Sequence, residues 1–430
     1  MLGAPVTPKP APRINRPAQV LFASLVGTTI EYFDFYIYAT AAVLVFPQLF
    51  FPPSDPATAT LASLATFGIA FVARPVGSAI FGHFGDRVGR KTTLVAALLT
   101  MGVSTVAIGL LPGYASIGLA APALLAICRF GQGLGLGGEW GGAVLLAIEN
   151  APPGKRAWYG MFPQLGAPIG FFFSASIFLL LSERLTDQQF AAWGWRIPFL
   201  ASAVLVIVGL YVRLNITETP VFRQAIQREE RVRVPVVTVF RDHFPVVVQG
   251  VLACVATYVV FYLTTVFALS WGTSALGYTR ESLLMLQLLG IVFFGLSVPL
   301  SGILAERSRR GTLLAVSVGI AAFGLVMAPL LESGLAGTGL MMVLGLTLMG
   351  LSYGPLGTIL SELFPTRVRY TGSSLSFNLA GIVGASLAPY MATWLARTYG
   401  LEYVGYYLSG AAALTFAGLL TIRETKDQSL

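Results

Sequence analysis

The feature that most constrains this chain is a series of twelve apolar runs, most of them about as long as the roughly 20 residues that a helix needs to cross a bilayer. Only 11% of the 430 residues are charged and 55% are hydrophobic, whereas soluble domains carry about 25% charged residues. We therefore predict an all-α polytopic membrane protein with twelve transmembrane helices. The predicted helices lie near residues 20–46, 58–82, 92–112, 117–148, 159–182, 195–214, 245–270, 281–304, 312–332, 338–363, 371–396 and 403–423.

The distribution of positive charge predicts the orientation, because cytoplasmic loops carry an excess of Lys and Arg. If the N-terminus is inside, the inner segments hold most of the basic residues, Arg213 among them. The outer segments hold only Arg184, Arg196, Arg280 and Arg397. Both termini are therefore expected in the cytoplasm. No convincing cleavage site precedes the first long apolar run, so no signal peptide is predicted.

Two loop motifs recur six helices apart. The motif Gly82 to Lys91 follows the second helix, and Gly302 to Arg310 follows the eighth. Likewise, Glu149 to Arg156 follows the fourth helix and Glu362 to Arg369 follows the tenth. Two six-helix repeats around a central site are a transporter architecture. We predict a disordered cytoplasmic tail at 1–19, an N-terminal bundle at 20–214, a cytoplasmic loop at 215–244, a C-terminal bundle at 245–423 and a cytoplasmic tail at 424–430.

The fourth helix has three distinct faces. Arg129, Gln132 and Glu139 share one face, and glycines form two further stripes at small-xxx-small spacing. We expect this helix to pack closely against two neighbours and to turn its polar face to a cavity. The segment Gly133 to Gly138 has the spacing of a dinucleotide-binding loop, but that motif needs a βαβ unit. Close helix packing is the better interpretation.

Several motifs resemble one transporter family. Gly82 to Lys91 and Arg129 to Gly133 are similar to loop and helix signatures of the major facilitator superfamily. Further segments resemble its metabolite:proton symporter branch: Glu31 to Tyr36, Ala73 to Pro75, Gly137 to Gly142, Gly194 to Pro198 and Glu218 to Phe222. The resemblance implies the major facilitator fold, a bacterial inner membrane, a monomer and uptake of metabolites such as shikimate, α-ketoglutarate, citrate or proline and betaine. One departure is that Glu306 and Arg309 stand where Asp and Gly are usual.

Four ionisable residues are predicted to couple proton uptake to transport: Glu31, Asp34, Arg129 and Glu139. An ionisable side chain inside a bilayer normally faces a cavity and has a partner. Counting the helical rise places Asp34 and Arg129 at similar depth. We therefore expect an ion pair between them that changes with protonation. The alternative is a static pair that only fixes helix packing.

Arg74 lies at the depth of Glu139 and has two open interpretations. It pairs with Glu139, or its planar fork holds a substrate carboxylate. The candidate substrate contacts are Arg74, Arg129, Gln132, Tyr32, Tyr36, Tyr258, Tyr262, Tyr353 and Asn378, with Trp271 and Gln287 as further candidates. Aromatic residues at helical spacing in a membrane protein are also common as packing or interface residues.

Nine charged loop residues are expected to form a cytoplasmic gate, which by the family resemblance holds the inner side closed. They are Asp86, Arg87, Arg90, Glu149, Arg156, Glu306, Arg307, Glu362 and Arg367. Exposed pairs are worth only about 0–1 kcal/mol each, but a network can set a conformational balance. The alternative is that these charges only determine topology.

The sequence predicts no enzyme, metal site or cofactor, because it shows no Ser/His/Asp or Cys/His arrangement and only two His and two Cys residues. The expected partners are a small-molecule substrate, protons and the lipid bilayer, and not nucleic acid. We predict a secondary transporter that imports an organic acid with protons by alternating access. A zwitterion such as betaine or an amino acid is the second substrate class, with Trp140 as a further cage residue. A proton-coupled exporter and a transporter-like sensor without flux are the alternatives.

Overall fold

The computed structural model describes residues 17–52, 56–87, 90–214 and 234–426, and this part of the chain contains helices and no strand. Apolar runs form helices here because a helix satisfies its own backbone hydrogen bonds, as the hydrocarbon core of a membrane demands. Twelve long helices, which we number α1 to α12, follow in order. The first six are α1 Pro17–Leu44, α2 Pro56–Arg87, α3 Arg90–Leu110, α4 Ala120–Ile148, α5 Arg156–Arg184 and α6 Arg196–Leu214. The second six are α7 Phe244–Ser274, α8 Arg280–Arg307, α9 Arg309–Glu332, α10 Leu335–Glu362, α11 Thr366–Thr398 and α12 Glu402–Thr421.

Short helices occupy several connections. They are Phe46–Leu49, Tyr114–Ile117, Asp187–Gln189, the π-helical turn Phe190–Gly194 and Pro235–Asp242. The first sixteen residues, most of the predicted 215–244 loop and the last four residues lie outside the described part of the chain.

The predicted membrane protein with twelve helices is confirmed. Within the described residues, eleven of the twelve are long and apolar enough to span a membrane. The remaining one is α4, which is 29 residues long. Its Arg129 and Glu139, together with its many glycines, lower its mean hydropathy, and both charged side chains are fully buried within the bundle. The membrane-spanning role of α4 therefore depends on its neighbours.

Twelve crossings return the chain to the side of the bundle on which it began. We call the side that holds Pro17 and Thr421 the terminal side, and the opposite side the distal side. Helices α1 to α6 form the N-terminal half and α7 to α12 the C-terminal half. Large apolar side chains such as Val103, Leu110 and Ile207 are each 67% exposed on the outside of the bundle, as expected for a surface in contact with lipid.

The glycine stripes of α4 allow two neighbouring helices to approach closely, as predicted. A Cβ atom on Gly137 would overlap the carbonyl oxygen of Arg74 in α2, and one on Gly135 would lie 2.7 Å from the carbonyl oxygen of Ala97 in α3. Both contacts are with backbone, which cannot move aside as a flexible side chain can. Close packing of α2 on α4 therefore fixes the position of Arg74 along the bundle.

Two helices of the C-terminal half contain π-helical turns, which are Leu263–Phe267 in α7 and Ile382–Ser386 in α11. Such turns replace the usual bonding to residue i+4 by bonding to i+5, and they occur often at functional sites. The turn in α7 faces the interface between the two halves, because Thr265 and Val266 line the cavity there.

Candidate functional site

A small cavity lies between the two halves near the middle of the bundle. Its volume is about 10 Å³. The lining residues are Tyr36, Ala39 and Thr40 of α1, Phe171 of α5, Phe261, Thr265, Val266 and Leu269 of α7, and Gln287 of α8. A cleft of about 1050 Å³ lies on the distal side of this cavity, along α1 and α7. Val43 and Leu44 bound it on one side, and Ser270 and Thr273 bound it on the other. The central cavity therefore lies below a wide distal cleft.

Aromatic rings separate this cavity from the terminal side. The hydroxyl groups of Tyr32 in α1 and Tyr353 in α10 are hydrogen-bonded to each other across the two halves. Tyr36 lies 4.7 Å from Phe171 and 5.5 Å from Phe261 between ring centroids. The predicted substrate residues Tyr32, Tyr36 and Tyr353 are therefore brought together at the interface.

A second aromatic layer lies next to Tyr353. Trp140 of α4 stacks on Phe377 of α11 at 3.8 Å between centroids, and its indole N–H donates to Gln164 Oε1 at 3.1 Å. Tyr258 lies 5.1 Å from Phe377, and its buried hydroxyl has no hydrogen-bond partner. Rings of both halves thus form a continuous apolar layer with isolated polar atoms, as is typical of small-molecule sites.

Arg74 extends from α2 toward these tyrosines. Its guanidinium carbon lies 4.6 Å from the centroid of Phe35 and 4.7 Å from that of Phe71. Phe71 in turn contacts Tyr262 at 5.5 Å between centroids. The side chain of Arg74 is buried and its Nε has no hydrogen-bond partner. A buried guanidinium held by rings, with an open donor, is suited to bind an anionic group.

Arg129 has a different environment. Its Nη1 donates to Gln132 Oε1 at 2.9 Å, and Gln132 Nε2 donates to the hydroxyl of Thr105 at 2.8 Å. The guanidinium carbon lies 3.9 Å from the centroid of Tyr38 and 4.4 Å from that of Phe35. At Arg129 and Gln132 the polar face of α4 is therefore packed against α1 and α3, where the prediction had it face a cavity.

The predicted ion pair between Asp34 and Arg129 is not formed in this structure. Asp34 Oδ2 accepts a hydrogen bond from the hydroxyl of Ser202 in α6 at 2.7 Å, and Oδ1 has no partner. The helical rise predicts that the two residues lie at the same depth. The guanidinium of Arg129, however, contacts Gln132 and the rings of α1 instead of Asp34. Depth alone does not determine the rotation of a helix about its axis.

Glu139 is paired with Arg213 of α6 and not with Arg74. The guanidinium of Arg213 donates to Glu139 Oε1, and its Nη1 also donates to the carbonyl oxygen of Leu94 at 2.6 Å. The pair packs against Gly27 of α1, where a Cβ atom would lie 2.6 Å from Arg213 Nη2. Arg213 had been counted as an inner loop charge, but it is only 6% exposed. Its long side chain reaches back from the last turn of α6 into the bundle.

Glu31 completes the buried charges of the N-terminal half. Its side chain is 2% exposed and its Oε2 has no hydrogen-bond partner. Glu31 is thus a third buried acid of this half, in addition to Asp34 and Glu139.

Asn378 joins the two halves. Its amide group donates to the hydroxyl of Ser78 in α2 at 2.8 Å and to the carbonyl oxygen of Ser374 at 2.9 Å. The Ser78 hydroxyl donates in turn to the carbonyl oxygen of Gly137 at 2.7 Å. Asn378 therefore joins α11 to α2 through its amide nitrogen, and its role as a substrate contact stays a prediction.

On the terminal side, charged residues of the two halves meet. Glu362 Oε2 lies 2.8 Å from Arg309 Nε in a buried ion pair and accepts a hydrogen bond from the Thr425 hydroxyl at 2.7 Å. Its Oε1 lies 3.5 Å from Nη1 of Arg156 in the other half. Glu306 Oε1 accepts from the backbone N–H of Trp158 at 2.9 Å, a second contact between the halves. The two halves are thus held together at this side.

Six further residues are predicted to belong to the gate. Glu149 is half-buried, whereas Arg307 and Arg367 are exposed. The side chains of Asp86, Arg87 and Arg90 lie outside the described part of the chain.

Glu424 fixes the segment after α12 to the start of α9. Its carboxylate accepts from the Ser308 hydroxyl at 2.6 Å and from the backbone N–H of Arg309 at 3.2 Å. Burial acts to raise the pKa of Glu424, but these hydrogen bonds to its charged form hold the pKa below its ordinary value.

Several contributors were not predicted from the sequence, namely Ser202, Gln164 and Arg213. Ser202 and Gln164 are single polar residues in apolar runs, and nothing in their spacing marks them. Arg213 follows the apolar run Leu205 to Val212 inside the predicted helix 195–214, although the count of basic residues assigns it to the inner segments. Among the described residues, no group of three or more His, Cys, Asp or Glu side chains is placed to hold a metal ion.

Comparison with known proteins identifies relatives along the whole chain. Residues 19–237 and 238–430 match the family described as "Sugar (and other) transporter". The chain is 58% identical to the inner membrane metabolite transport protein YhjE of Escherichia coli, over 97% of this chain and 96% of the relative. It is 34% identical to the shikimate transporter of Escherichia coli, over 96% of each chain.

The fold is similar to that of solved transporters. The proton:xylose symporter XylE, a major facilitator superfamily protein, superposes with a TM-score of 0.74 over 96% of this chain and 97% of that chain. Sequence identity over this match is 15%, so the likeness shows the fold alone.

Proposed function

Since the chain belongs to the sugar (and other) transporter family of the major facilitator superfamily, it is a multi-pass membrane transporter, and we propose that it imports a small organic acid together with protons. The predicted orientation makes the terminal side the cytoplasm and the distal cleft the entry for substrate. The name of the relative YhjE supports an inner membrane location.

The observation that carries this proposal is the balance of buried charge in the N-terminal half. Three acidic side chains and three guanidiniums are buried within its helices: Glu31, Asp34, Glu139, Arg74, Arg129 and Arg213. Their formal charges cancel when all are ionised. Protonation of one carboxylate leaves one positive charge in excess, which is costly in an apolar interior. An organic monoanion removes that excess, so proton and anion stabilise each other's binding.

Open hydrogen-bonding positions match these two roles. Asp34 Oδ1 and Glu31 Oε2 are buried without partners and are placed to take a proton. Arg74 Nε is buried without a partner and lies next to the central aromatic layer. We assign proton binding to the two carboxylates of α1 and anion binding to Arg74.

The contacts on the terminal side provide the alternation of access. Arg156–Glu362 and Trp158–Glu306 join the halves there, while the cleft opens at the distal side. In our proposal, substrate and proton enter from the distal side, the halves close over them, and these terminal contacts separate to release both into the cell. The charged cluster thereby acts as the cytoplasmic gate.

A zwitterion is the second candidate substrate. The rings of Tyr36, Phe171 and Phe261 surround the central cavity on three sides, and an aromatic cage is suited to a quaternary nitrogen. A zwitterion would cross with a proton as a net cation, whereas a monoanion would cross with a proton without net charge. This difference in charge separates the two candidates.

The test uses proteoliposomes of the purified protein with a pH-sensitive dye inside and the membrane potential clamped at zero. Adding shikimate and other carboxylates outside should acidify the interior, and imposing a potential should not change the initial rate. Empty liposomes control for passive entry of weak acids. A rate that rises with an inside-negative potential favours the zwitterion, and alkalinisation of the interior indicates export by exchange. Binding without any flux indicates a sensor, and no binding of any carboxylate contradicts the proposal.

A further inference from the structure

Gln287 of α8 forms part of the wall of the central cavity. Its side chain is only 1% exposed, and it shares the lining with Tyr36 of α1 and Thr265 of α7. It therefore lies where α1, α5, α7 and α8 all line a cavity between the two halves. Gln287 is the residue that α8 contributes to this lining.

The orientation of this amide is set by chemistry. Gln287 Nε2 donates to the backbone carbonyl oxygen of Thr265 at 3.0 Å. A carbonyl oxygen only accepts, so the nitrogen and not the oxygen of the amide must face it. Gln287 Oε1 is left buried with no hydrogen-bond partner.

The partner carbonyl lies in the π-helical turn Leu263–Phe267, whose irregular backbone places Thr265 beside α8. This hydrogen bond holds the amide of Gln287 against the backbone of α7. The other lining residues carry mainly aromatic and aliphatic side chains. The cavity of about 10 Å³ has room for about one water molecule, so we expect Tyr36, Phe171 and Phe261 to move when a substrate enters. Gln287 needs no such movement to present its oxygen.

An unpartnered buried acceptor favours a ligand that supplies a donor, because leaving the acceptor unpaired costs its full desolvation energy. We propose that Gln287 is a specificity-determining residue whose Oε1 accepts a hydrogen bond from a hydroxyl or N–H group of the substrate. The inference rests on the proposed transport of a substrate that carries a carboxylate, and it narrows both candidate classes, the organic acid and the zwitterion, to members with a hydrogen-bond donor. The substrate is a carboxylate with a hydroxyl or protonated amine, bound by Arg74 at one end and by Gln287 at the other. A fully methylated nitrogen has no donor and is disfavoured.

The test compares ligands that differ in one donor. One pair is N,N-dimethylglycine and glycine betaine, which differ by an N–H in place of a methyl group. The other pair is 3-hydroxycyclohexanecarboxylate and cyclohexanecarboxylate. Binding of all four to the full-length protein in detergent is measured by calorimetry for the wild type, Gln287→Met and Gln287→Glu. Met has nearly the length of Gln without its polar atoms, and Glu retains an acceptor.

A matched control is Gln249→Met. Gln249 Nε2 also donates to a backbone carbonyl oxygen, that of Thr421 at 3.2 Å, but Gln249 lies outside the cavity lining. It therefore reports the general effect of losing such a bond in this fold.

We expect the wild type to bind the donor-bearing member of at least one pair roughly tenfold more tightly. Gln287→Met should reduce this ratio to about twofold or less, while Gln249→Met retains the wild-type ratio. Gln287→Glu should retain the preference at lower affinity for both members, and it takes over the test if Gln287→Met does not fold. An unchanged ratio in Gln287→Met, or a wild type that does not distinguish the members, contradicts the inference and leaves carboxylate transport intact. If no carboxylate binds the wild type, the proposed function fails instead, and the inference with it.

Discussion

The carboxylate of Glu139 in α4 is paired with the guanidinium of Arg213 in α6, and both side chains are buried. The pair packs against Gly27 of α1, where a Cβ atom would lie 2.6 Å from Arg213 Nη2. Removing one partner of a buried pair leaves an uncompensated charge, whereas replacing both often costs little.

The first prediction concerns this pair. Arg213→Ala should destabilise the protein by about 3–5 kcal/mol, because Glu139 then remains buried without its cation. Replacing both residues, as Glu139→Met with Arg213→Met, should recover most of the loss. Thermal unfolding in detergent, followed by tryptophan fluorescence, measures both effects.

Charge exchange distinguishes Arg213 from Arg74 as the partner of Glu139. Exchanging the charges of Glu139 and Arg213 should restore stability lost in the single variants. The same exchange with Arg74 should not, because Arg74 contacts Phe35 and Phe71 instead. Recovery with Arg74 alone would show that the pairing in this structure is not the stable one.

The second prediction concerns Asp34. Asp34→Asn keeps an oxygen that can accept from the Ser202 hydroxyl but cannot release a proton in the range of biological pH. Uphill uptake driven by a proton gradient should therefore be lost, while exchange of labelled for unlabelled substrate at equal pH should persist. Both rates are measured in the same proteoliposomes.

Ser202→Ala serves as the control for the geometry of this site. It removes the hydrogen bond to Asp34 but leaves the carboxylate, so proton-driven uptake should continue with an altered pH profile. Retention of proton-driven uptake in Asp34→Asn would assign coupling elsewhere, with Glu31 as the next candidate.

The number of helices and the close neighbours of α4 were predictable, because the lengths of apolar runs and the spacing of glycines can be read directly from the sequence. Apolar runs of membrane length set the twelve helices, and glycine spacing on α4 indicated two close neighbours, which are α2 and α3. Tyr32 and Tyr353 were predicted separately as candidate substrate contacts, and their meeting at the interface was not predicted. Their pairing across the two halves depends on how α1 and α10 meet.

Pairing of the buried charges was not predictable in the same way. The rise along a helix predicts the depth of Asp34, Arg129 and Glu139, but not which direction each side chain takes. Arg213 reaches back into the bundle from the last turn of α6, and this reach decides the partner of Glu139. Counting residues along a helix gives the depth of a side chain. It does not give the rotation of the helix about its axis or the reach of a flexible side chain.

The third prediction concerns the terminal cluster. Glu362 forms an ion pair with Arg309, accepts a hydrogen bond from Thr425 and contacts Arg156 of the other half. Glu362→Ala should remove the contact with Arg156 across the two halves and so weaken the state that is closed at this side. Arg309 and Thr425 belong to the same half as Glu362, so their lost contacts affect every state alike. Labelling of single cysteines introduced beside Glu362 should therefore increase, as the equilibrium moves toward states open at the terminal side.

Arg367→Ala is the matched control, because Arg367 is exposed at the same side and a surface change of this kind is worth about 0.5 kcal/mol or less. Equal labelling in Glu362→Ala and Arg367→Ala would remove the cluster from the gating mechanism. Loss of the fold is monitored by the unfolding temperature of each variant.

The fourth prediction concerns pH and Glu424. The pKa of this group is below its ordinary value of 4.5, because hydrogen bonds from Ser308 and nearby backbone N–H groups to the charged form outweigh the effect of burial. Folding therefore favours the charged form. The resulting stabilisation is complete above the unfolded pKa and is lost as the pH falls through the folded pKa. Glu424→Gln should accordingly unfold at a lower temperature than the wild type near pH 6, and the difference should shrink as the pH falls below about 4.5. A difference that stays constant from pH 6 to pH 3.5 would show that the ionised carboxylate does not tie this segment to α9.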